Sequence, residues 1–347
     1  MKTLIYGAYG YTGELITREA HEQGLDVAVG GRNGTKTRGI GLELGVESRV
    51  FAPDEAGEKL DGIDVVLNCA GPFVETYEPF VDACLATNTA YLDITGELSV
   101  FEAIAERDRE AEKAGVLLLP GLGFEVVPTD CLACHLHDRL PGATHLRLGV
   151  DPEITPSGGT LASLVEHADS DGLVRRDGVI EPTPVGEHSR QIGFGSGPQH
   201  AITAPLGDVS TAYYTTGIEN IDTYVAVPER AARLLNLARP LSIALGLSPV
   251  KRGLKRLGRA VASGPSEQER ERDRAFIWGE VTDGETTLVS RLETPEPYSL
   301  TVDATTSALH RLEAMESLPT GFETPAVAFD ADFVLSLDSV EGFFDEG

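Results

Sequence analysis

The chain has 347 residues, 41% of them apolar and 24% charged, a composition typical of soluble globular proteins and long enough for two hydrophobic cores. Its 55 acidic side chains and 28 Lys and Arg give a net charge of −27, which argues against nucleic acid or anionic membranes as partners and indicates adaptation to high salt. Met1-Lys2 leads directly into an apolar segment without a signal-peptide pattern, and no apolar run is long enough for a bilayer span, so we expect a cytoplasmic protein.

The glycine-rich segment GAYGYTG, residues 7–13, lies between a short apolar strand and a predicted helix at 14–23. This arrangement is typical of a dinucleotide-binding turn. The first glycine permits the turn out of the strand, the second lets backbone approach a pyrophosphate, and the third lets the helix pack close to the sheet. The residues predicted to surround the phosphates are Gly7, Tyr9, Gly10, Tyr11, Thr12 and Gly13.

The second predicted strand, at 25–31, ends in a sequence that favours NADP(H) over NAD(H). An NAD site usually carries an acidic residue here to hold the ribose 2′-hydroxyl, whereas this chain has Gly30-Gly31-Arg32-Asn33. A guanidinium can bind a 2′-phosphate with charge-assisted hydrogen bonds, and an acid would repel it. We therefore predict that Arg32 and Asn33 contact the adenosine phosphate; a solvated loop charge at Arg32 is the alternative.

Residues 1–123 alternate between predicted strands and helices, as in a doubly wound parallel sheet of the Rossmann type. The run at 63–68 is continuously apolar, as expected for a strand buried on both faces. Ligands of such sheets bind beyond the carboxyl ends of the strands, where small and rigid residues follow this run. We predict that they form the floor under the ribose and nicotinamide, with a simple Gly-Pro turn as the alternative: Asn68, Cys69, Ala70, Gly71, Pro72 and Phe73.

Polar side chains also follow the strand within AYLDITGE, residues 90–97. Asp93, Thr95 and Glu97 would have no use in a buried sheet interior, but a site at the strand ends would use them. A helix is predicted from about 99 to 113, followed by a last strand within 115–124.

Cys131 and Cys134 match the spacing of a redox pair and, with His135, of a haem attachment. Haem attachment requires export, and a zinc site would need two more ligands, of which His137 supplies at most one. Because Pro128-Thr129-Asp130 is a good helix start, we interpret the two cysteines as one buried helix face and predict no metal site.

Residues 124–299 change to short strands and turns, which predicts a second α+β domain with a mainly antiparallel sheet. Asp283-Gly284 predicts a hairpin within 276–293. SGGT at 157–160 opens a helix that could meet an anionic or carbonyl group. The apolar and basic segment 229–263 could cover the substrate pocket, form a dimer interface or contact a membrane peripherally.

The segments GAYGYTG, GGRN, VLNCAGPF, YLDITGE and GFEVVPTD, in this order, resemble the saccharopine dehydrogenase-like NADP-binding oxidoreductases, in the branch that includes trans-acting enoyl reductases. The resemblance is strong over the first 130 residues. It implies NADP on the glycine turn, Arg32 and the 68–73 loop, and a substrate-side cleft that touches Thr95, Gly96 and Glu97. It also implies that the chain end returns to the nucleotide domain, which gives a Rossmann domain at 1–123 plus 300–347 and a substrate domain at 124–299. Glu125 stands where relatives often have Asp, and Val126 where they have Ser.

Hydride transfer between NADP(H) and a small-molecule substrate is the predicted chemistry. The chain has no Tyr-x-x-x-Lys pair, and the candidates for a proton donor are Glu97, Asp130 and Tyr77. Reduction of an enone would not need a dedicated acid. Three hypotheses remain: a reductase of lipid-like or acyl substrates, a saccharopine-type amino-acid dehydrogenase that uses some of Arg147, Arg175, Arg176 and Arg190, and a non-catalytic NADP(H) sensor.

Overall fold

The computed structural model describes residues 1–152, 172–183, 188–195, 197–227 and 265–346. The segments 157–160 and 229–263 therefore lie outside the described residues. None of the helices in the described ranges combines the length and hydropathy that a bilayer span requires.

The strands, in chain order, are β1 (Thr3–Tyr6), β2 (Val27–Gly31), β3 (Glu47–Val50), β4 (Val65–Asn68), β5 (Ala90–Asp93), β6 (Leu117–Leu119), β7 (His145–Pro152), β8 (Gly172–Arg176), β9 (Val179–Thr183), β10 (Ser189–Gly193), β11 (Pro198–Thr203), β12 (Asn220–Ala226), β13 (Arg274–Thr282), β14 (Thr287–Pro295), β15 (Gly321–Phe322) and β16 (Glu341–Gly342). The α-helices are α1 (Tyr11–Glu22), α2 (Gly34–Leu44), α3 (Tyr77–Thr87), α4 (Leu98–Ala105), α5 (Asp108–Ala114), α6 (Val127–Arg139), α7 (Asp208–Thr216), α8 (Glu267–Arg272), α9 (Pro297–Ala314) and α10 (Pro325–Phe329). Short 3-10 helices cover Pro53–Glu58, Phe73–Glu75 and Ala331–Ser336.

The chain forms two compact units. The first comprises Met1–Cys134 and Tyr298–Asp338, and the second His135–Pro297 and Ser339–Gly347. Residues 339–347, which the resemblance assigned to the nucleotide domain, lie in the second unit because β16 pairs with β14 there.

A parallel sheet forms the centre of the first unit, with the strand order β15-β6-β5-β4-β1-β2-β3. This is the Rossmann order, extended by β15 at the β6 edge, and it confirms the predicted fold class. β1, β2, β4, β5 and β6 are buried along their whole length, because helices cover both faces. The strand order reverses between β1 and β4, which places the expected ligand crevice beyond their carboxyl ends.

Aromatic packing fixes the helices of one face to this sheet. The ring of Tyr6 lies 4.7 Å from that of Phe80 and 5.1 Å from that of Phe51. The Tyr6 hydroxyl donates to the backbone carbonyl of Phe51 at 3.0 Å, so its buried polar atom is satisfied.

The second unit contains a mixed, mainly antiparallel sheet with the order β10-β11-β12-β7-β13-β14-β16, and β8 and β9 attach to β12. Only the β12–β7 pairing among these is parallel. The predicted hairpin is present as β13 and β14, and the Asp283 carboxylate in its turn accepts from the backbone amides of Glu285 and Thr286. The single helix predicted from 99 to 113 is instead divided into α4 and α5.

Candidate nucleotide site

The glycine turn after β1 has the close backbone contacts that only glycine allows. Gly7 has φ +85°, and a Cβ atom there would lie 2.9 Å from the backbone carbon of Cys69. A Cβ atom at Gly13 would lie 2.4 Å from the Gly7 carbonyl oxygen. Gly10 precedes α1 without a side-chain cap, and the N-terminus of a helix is a position that favours an anion. The turn therefore brings α1 against the ends of β1 and β4 with its N-terminus open.

Arg32 and Asn33, which were both predicted to contact the adenosine phosphate, have different surroundings in the structure. Arg32 is exposed and available to a phosphate, whereas the Asn33 side chain caps α2 by accepting from the Lys36 amide at 3.1 Å. The Tyr9 ring covers Gly31, where a Cβ atom would lie 2.4 Å from a ring carbon. The Lys36 ammonium lies 5.7 Å from the centre of the Tyr9 ring. Lys36, which was not among the residues predicted from the sequence, adds a second exposed cation to the segment that follows β2.

The loop after β4 exposes part of its backbone, whereas the Asn68 side chain forms hydrogen bonds within the loop. Asn68 is fully buried; its Oδ1 accepts from the Ala70 amide at 3.0 Å, and its Nδ2 donates to the Thr76 hydroxyl at 3.0 Å. Cys69, Ala70, Pro72 and Phe73 are half-buried and Gly71 is exposed. Burial raises the pKa of the Cys69 thiol, with a further contribution from Asp93, so the thiol stays protonated. Asn68 shapes this loop, and the residues after it form its open surface.

Asp93 lies fully buried at the end of β5. Its Oδ1 atom accepts from the backbone amides of Thr95 and Gly121, both at 2.9 Å, and its Oδ2 atom accepts from the Tyr91 hydroxyl at 2.8 Å. Burial raises its pKa to about 6, against the lowering effect of these hydrogen bonds. Thr95 is also buried, and its hydroxyl accepts from the Glu97 amide at 3.0 Å.

The carboxylate of Glu97, a candidate proton donor, is hydrogen-bonded to backbone amides in this structure. Its carboxylate accepts from the amide of Phe73 at 2.8 Å and from that of Val74 at 2.9 Å. The carboxylate that lies over Gly96 belongs to Glu125, because a Cβ atom at Gly96 would lie 1.7 Å from Glu125 Oε2. Glu125 is exposed, and the sequence had marked it only as a departure from the family pattern.

The other two catalytic candidates, Asp130 and Tyr77, have different surroundings. Asp130 is fully buried in α6, and its Oδ2 accepts from the Ala326 amide at the start of α10 at 2.8 Å. Burial raises the pKa of Tyr77, and the charges that act on it are carried by the helical residues Glu78, Arg107, Glu106 and Asp82.

The structure therefore brings together the glycine turn, Arg32, the 69–73 loop and Thr95–Glu97 at the carboxyl edge of one sheet. It adds Tyr298, whose ring contacts that of Tyr11 edge to face at 5.0 Å. Tyr298 opens α9, nearly 290 residues after Tyr11, and no local sequence signal connects the two.

Comparison with known proteins agrees with this geometry. A family model described as the saccharopine dehydrogenase NADP binding domain matches residues 3–119. A saccharopine dehydrogenase-like oxidoreductase of Mus musculus is 27% identical over 214 residues, which are 52% of this chain and 50% of the relative. A trans-acting enoyl reductase of Mycobacterium leprae is 28% identical over 148 residues, 40% of this chain and 35% of the relative. The chain thus spans about half or less of the length of these curated relatives.

Among solved structures, apo saccharopine dehydrogenase (L-Glu forming) from Saccharomyces cerevisiae has a similar fold, with a TM-score of 0.63 and 11% identity over 96% of both chains. The match extends the fold similarity through both units. The family match confirms NADP(H) as the cofactor predicted for the first unit. Residues 3–119 therefore match an NADP-binding domain of the saccharopine dehydrogenase type, and the relatives named above are oxidoreductases.

Proposed function

We propose that this chain is an NADPH-dependent reductase that transfers hydride to an enoyl or keto carbon of an apolar acyl substrate. The observation that carries the proposal is the edge formed by the glycine turn, exposed Arg32 and the 69–73 loop, which has the parts of an NADP site in the expected order. The trans-acting enoyl reductase among the relatives supports the substrate class.

The cofactor would supply the hydride, and the chain would bind, orient and exclude water. The N-terminus of α1 would hold the pyrophosphate, and Arg32 with Lys36 would hold the 2′-phosphate. Next to the nicotinamide position, Phe73 is half-buried and Val74 is 55% exposed, so this loop offers apolar surface to a substrate.

The contacts of the acidic candidates favour conjugate reduction. The carboxylates of Glu97 and Asp130 are already occupied as acceptors for backbone amides, which opposes a role as proton donor to a substrate. Reduction of an enone can take its proton from solvent. Glu125, whose carboxylate lies above Gly96, is exposed.

The decisive experiment is a fluorescence titration with NADPH and NADH in molar KCl, followed by NADPH oxidation with a panel of enoyl and keto thioesters. Selective NADPH binding with turnover of one thioester supports the proposal. Selective NADPH binding without turnover of any thioester, and without turnover of saccharopine or related dicarboxylic amino acids, favours the non-catalytic sensor. The absence of binding to either nucleotide contradicts the proposal.

A second candidate, a saccharopine-type amino-acid dehydrogenase, is favoured by one cluster in the second unit. Arg147 Nη1 lies 2.6 Å from Glu280 Oε1, and Arg190 Nη2 lies 3.0 Å from Glu280 Oε2. The Arg190 guanidinium also lies 4.8 Å from the centre of the Trp278 ring. Two guanidinium groups on one carboxylate leave a net positive charge that a substrate carboxylate could use.

NADP⁺ reduction in the presence of saccharopine or related dicarboxylic amino acids tests this candidate. If it is correct, Arg190→Ala raises the KM for the amino acid and leaves the Kd for NADP⁺ unchanged. Turnover of thioesters that is insensitive to Arg190→Ala contradicts it.

A further inference from the structure

A continuous set of hydrogen bonds, buried around Asp93 and partly exposed at Glu97, links the loops that follow β4, β5 and β6. We call it the strand-end network, and its side chains are those of Asn68, Thr76, Tyr91, Asp93, Thr95 and Glu97. All except Glu97 are buried, and Asn68, Tyr91 and Asp93 have no solvent exposure. Because an unsatisfied buried polar group is costly, a network of this size constrains the geometry of every loop that it joins.

Asp93 is the branch point of the strand-end network. One of its oxygens accepts from the amides of Thr95 and Gly121, so a single atom ties the loop after β5 to the loop after β6. Its other oxygen accepts from Tyr91. Three donors converge on one buried carboxylate that contacts no cation within the described residues, and the charge is held by dipoles alone.

The strand-end network reaches the loop after β4 from two directions. On one side, Asn68 Nδ2 donates to the Tyr91 hydroxyl at 3.4 Å and Asn68 Oδ1 holds the Ala70 amide. On the other side, Thr95 accepts from the Glu97 amide, and the Glu97 carboxylate holds Phe73 and Val74. The path from Asp93 therefore closes around the 69–74 loop.

We propose that Asp93 is a positioning residue for the nicotinamide half of NADP(H). This inference rests on the proposed function. In a doubly wound sheet the adenosine half lies beyond β1 and β2, where Arg32 is, and the nicotinamide half lies across the switch point, beyond β4 and β5. The strand-end network joins only loops of the nicotinamide side. Since hydride transfer depends on placement within a fraction of an ångström, a residue that fixes three of these loops acts on the cofactor through them.

The test compares two ligands, NADPH and 2′,5′-ADP, which carries only the adenosine half. Calorimetric titration in molar KCl gives both Kd values for the wild type, Asp93→Ala, Asp93→Asn and Tyr91→Phe. The matched control is Asp108→Ala, which also removes a carboxylate that accepts from a backbone amide, that of Phe322, outside the strand-end network.

We expect Asp93→Ala to weaken NADPH binding by about tenfold or more and 2′,5′-ADP binding by less than about twofold. Asp93→Asn keeps an oxygen for Thr95 and Gly121 and should recover most of the loss. Tyr91→Phe removes the donor to Asp93 Oδ2 and the acceptor for Asn68, but leaves the bonds from Thr95 and Gly121, and should fall between the two. If Asp93→Ala does not fold, Asp93→Asn and Tyr91→Phe decide the question, because both should weaken NADPH binding more than 2′,5′-ADP binding.

Hydrogen–deuterium exchange gives a readout that a general loss of stability would not reproduce. Asp93→Asn and Tyr91→Phe should raise exchange in 69–76, 94–97 and 119–122, and leave the β1 and β2 segments unchanged. Equal weakening of both ligands, uniform exchange across the sheet, or an effect no larger than that of Asp108→Ala overturns the proposal. A wild-type protein that binds neither ligand overturns the proposed function itself, whereas a wild type that binds both with unaltered variants overturns only the role of Asp93.

Discussion

The Oε1 atom of Glu97 lies 2.8 Å from the backbone nitrogen of Phe73. Glu97→Gln would present an NH2 group to one of the two amides that the carboxylate now holds. We expect the free energy of unfolding to fall by about 1–3 kcal/mol, since a buried or half-buried amide loses its acceptor. Urea denaturation in molar KCl measures this change. The control is Glu75→Gln, at an exposed acid in the 3-10 helix Phe73–Glu75 whose amides Glu97 binds. This substitution should leave the free energy of unfolding unchanged. A Glu97→Gln variant with wild-type stability and no turnover would instead indicate a proton donor.

Gly13→Ala tests the contact between α1 and the glycine turn. The new Cβ atom would meet the Gly7 carbonyl oxygen at 2.4 Å, so the helix must move away from the pyrophosphate position. We expect NADPH binding to weaken by about tenfold or more, a loss of about 1.4 kcal/mol. Gly39→Ala, in α2 with open space around the new Cβ atom, is the matched control. It should leave the Kd unchanged and raise stability by about 0.5–1 kcal/mol. Equal Kd values for both variants would contradict the assigned turn.

Arg32→Ala tests the preference for NADPH. Loss of a charge-assisted contact with the 2′-phosphate should raise the Kd for NADPH by about tenfold or more and leave the Kd for NADH unchanged. Fluorescence titration with both nucleotides measures the ratio. Arg107→Ala removes the same charge from the helical surface, where Arg107 pairs with Asp82 and Glu110, and should leave the ratio unaltered. An unchanged ratio in Arg32→Ala would move the 2′-phosphate contact to Lys36.

Asp93 should make stability depend on pH. Burial raises its pKa to about 6, so between the ordinary Asp value of 3.8 and about 6 the folded state binds more protons than the unfolded state. Stability conferred by this group therefore falls as the pH rises through that window and is level above it. The titratable side chains that act on Asp93, or are acted on by it, are those of Tyr91, Glu97 and Cys69.

We expect the stability of the wild type relative to Asp93→Asn to decrease by about 1 kcal/mol between pH 5 and pH 7. Urea denaturation of both proteins at constant KCl measures the difference. A flat difference over this range would show that Asp93 is already fully ionised at pH 5.

Local sequence patterns were sufficient to predict the elements whose geometry is set within one strand, turn and helix. The glycine spacing and continuous apolar strands predicted the Rossmann order, because both follow from the geometry of a single strand, turn and helix. Arg32 was placed at the correct strand end for the same reason. Asn33 was interpreted as a phosphate contact. It stands directly before α2, which is also the position of an N-cap residue, and in the structure its side chain accepts from the backbone amide of Lys36.

Contacts between distant segments could not be predicted. Asp130 accepts from the amide of Ala326 and Glu97 from that of Phe73, and in both cases the partner is a backbone group with no side-chain signature. The polar residues predicted at the strand ends do lie there, but only the structure shows that their oxygens accept hydrogen bonds from within the protein. The same holds for residues 339–346, whose pairing with β14 is a property of the assembled sheet.

The pairing of β15 with β6 has a consequence for biosynthesis. β15 supplies the outer strand of the nucleotide-binding sheet, and the adjoining α10 supplies the amide partner of Asp130, yet both follow residues 135–297 of the second unit in the chain. On the ribosome, the first 134 residues must wait for more than 180 others before this edge is covered. During that interval the open β6 edge could pair with other chains, and a chaperone that binds exposed strands should associate with the nascent chain until residues 321–329 emerge.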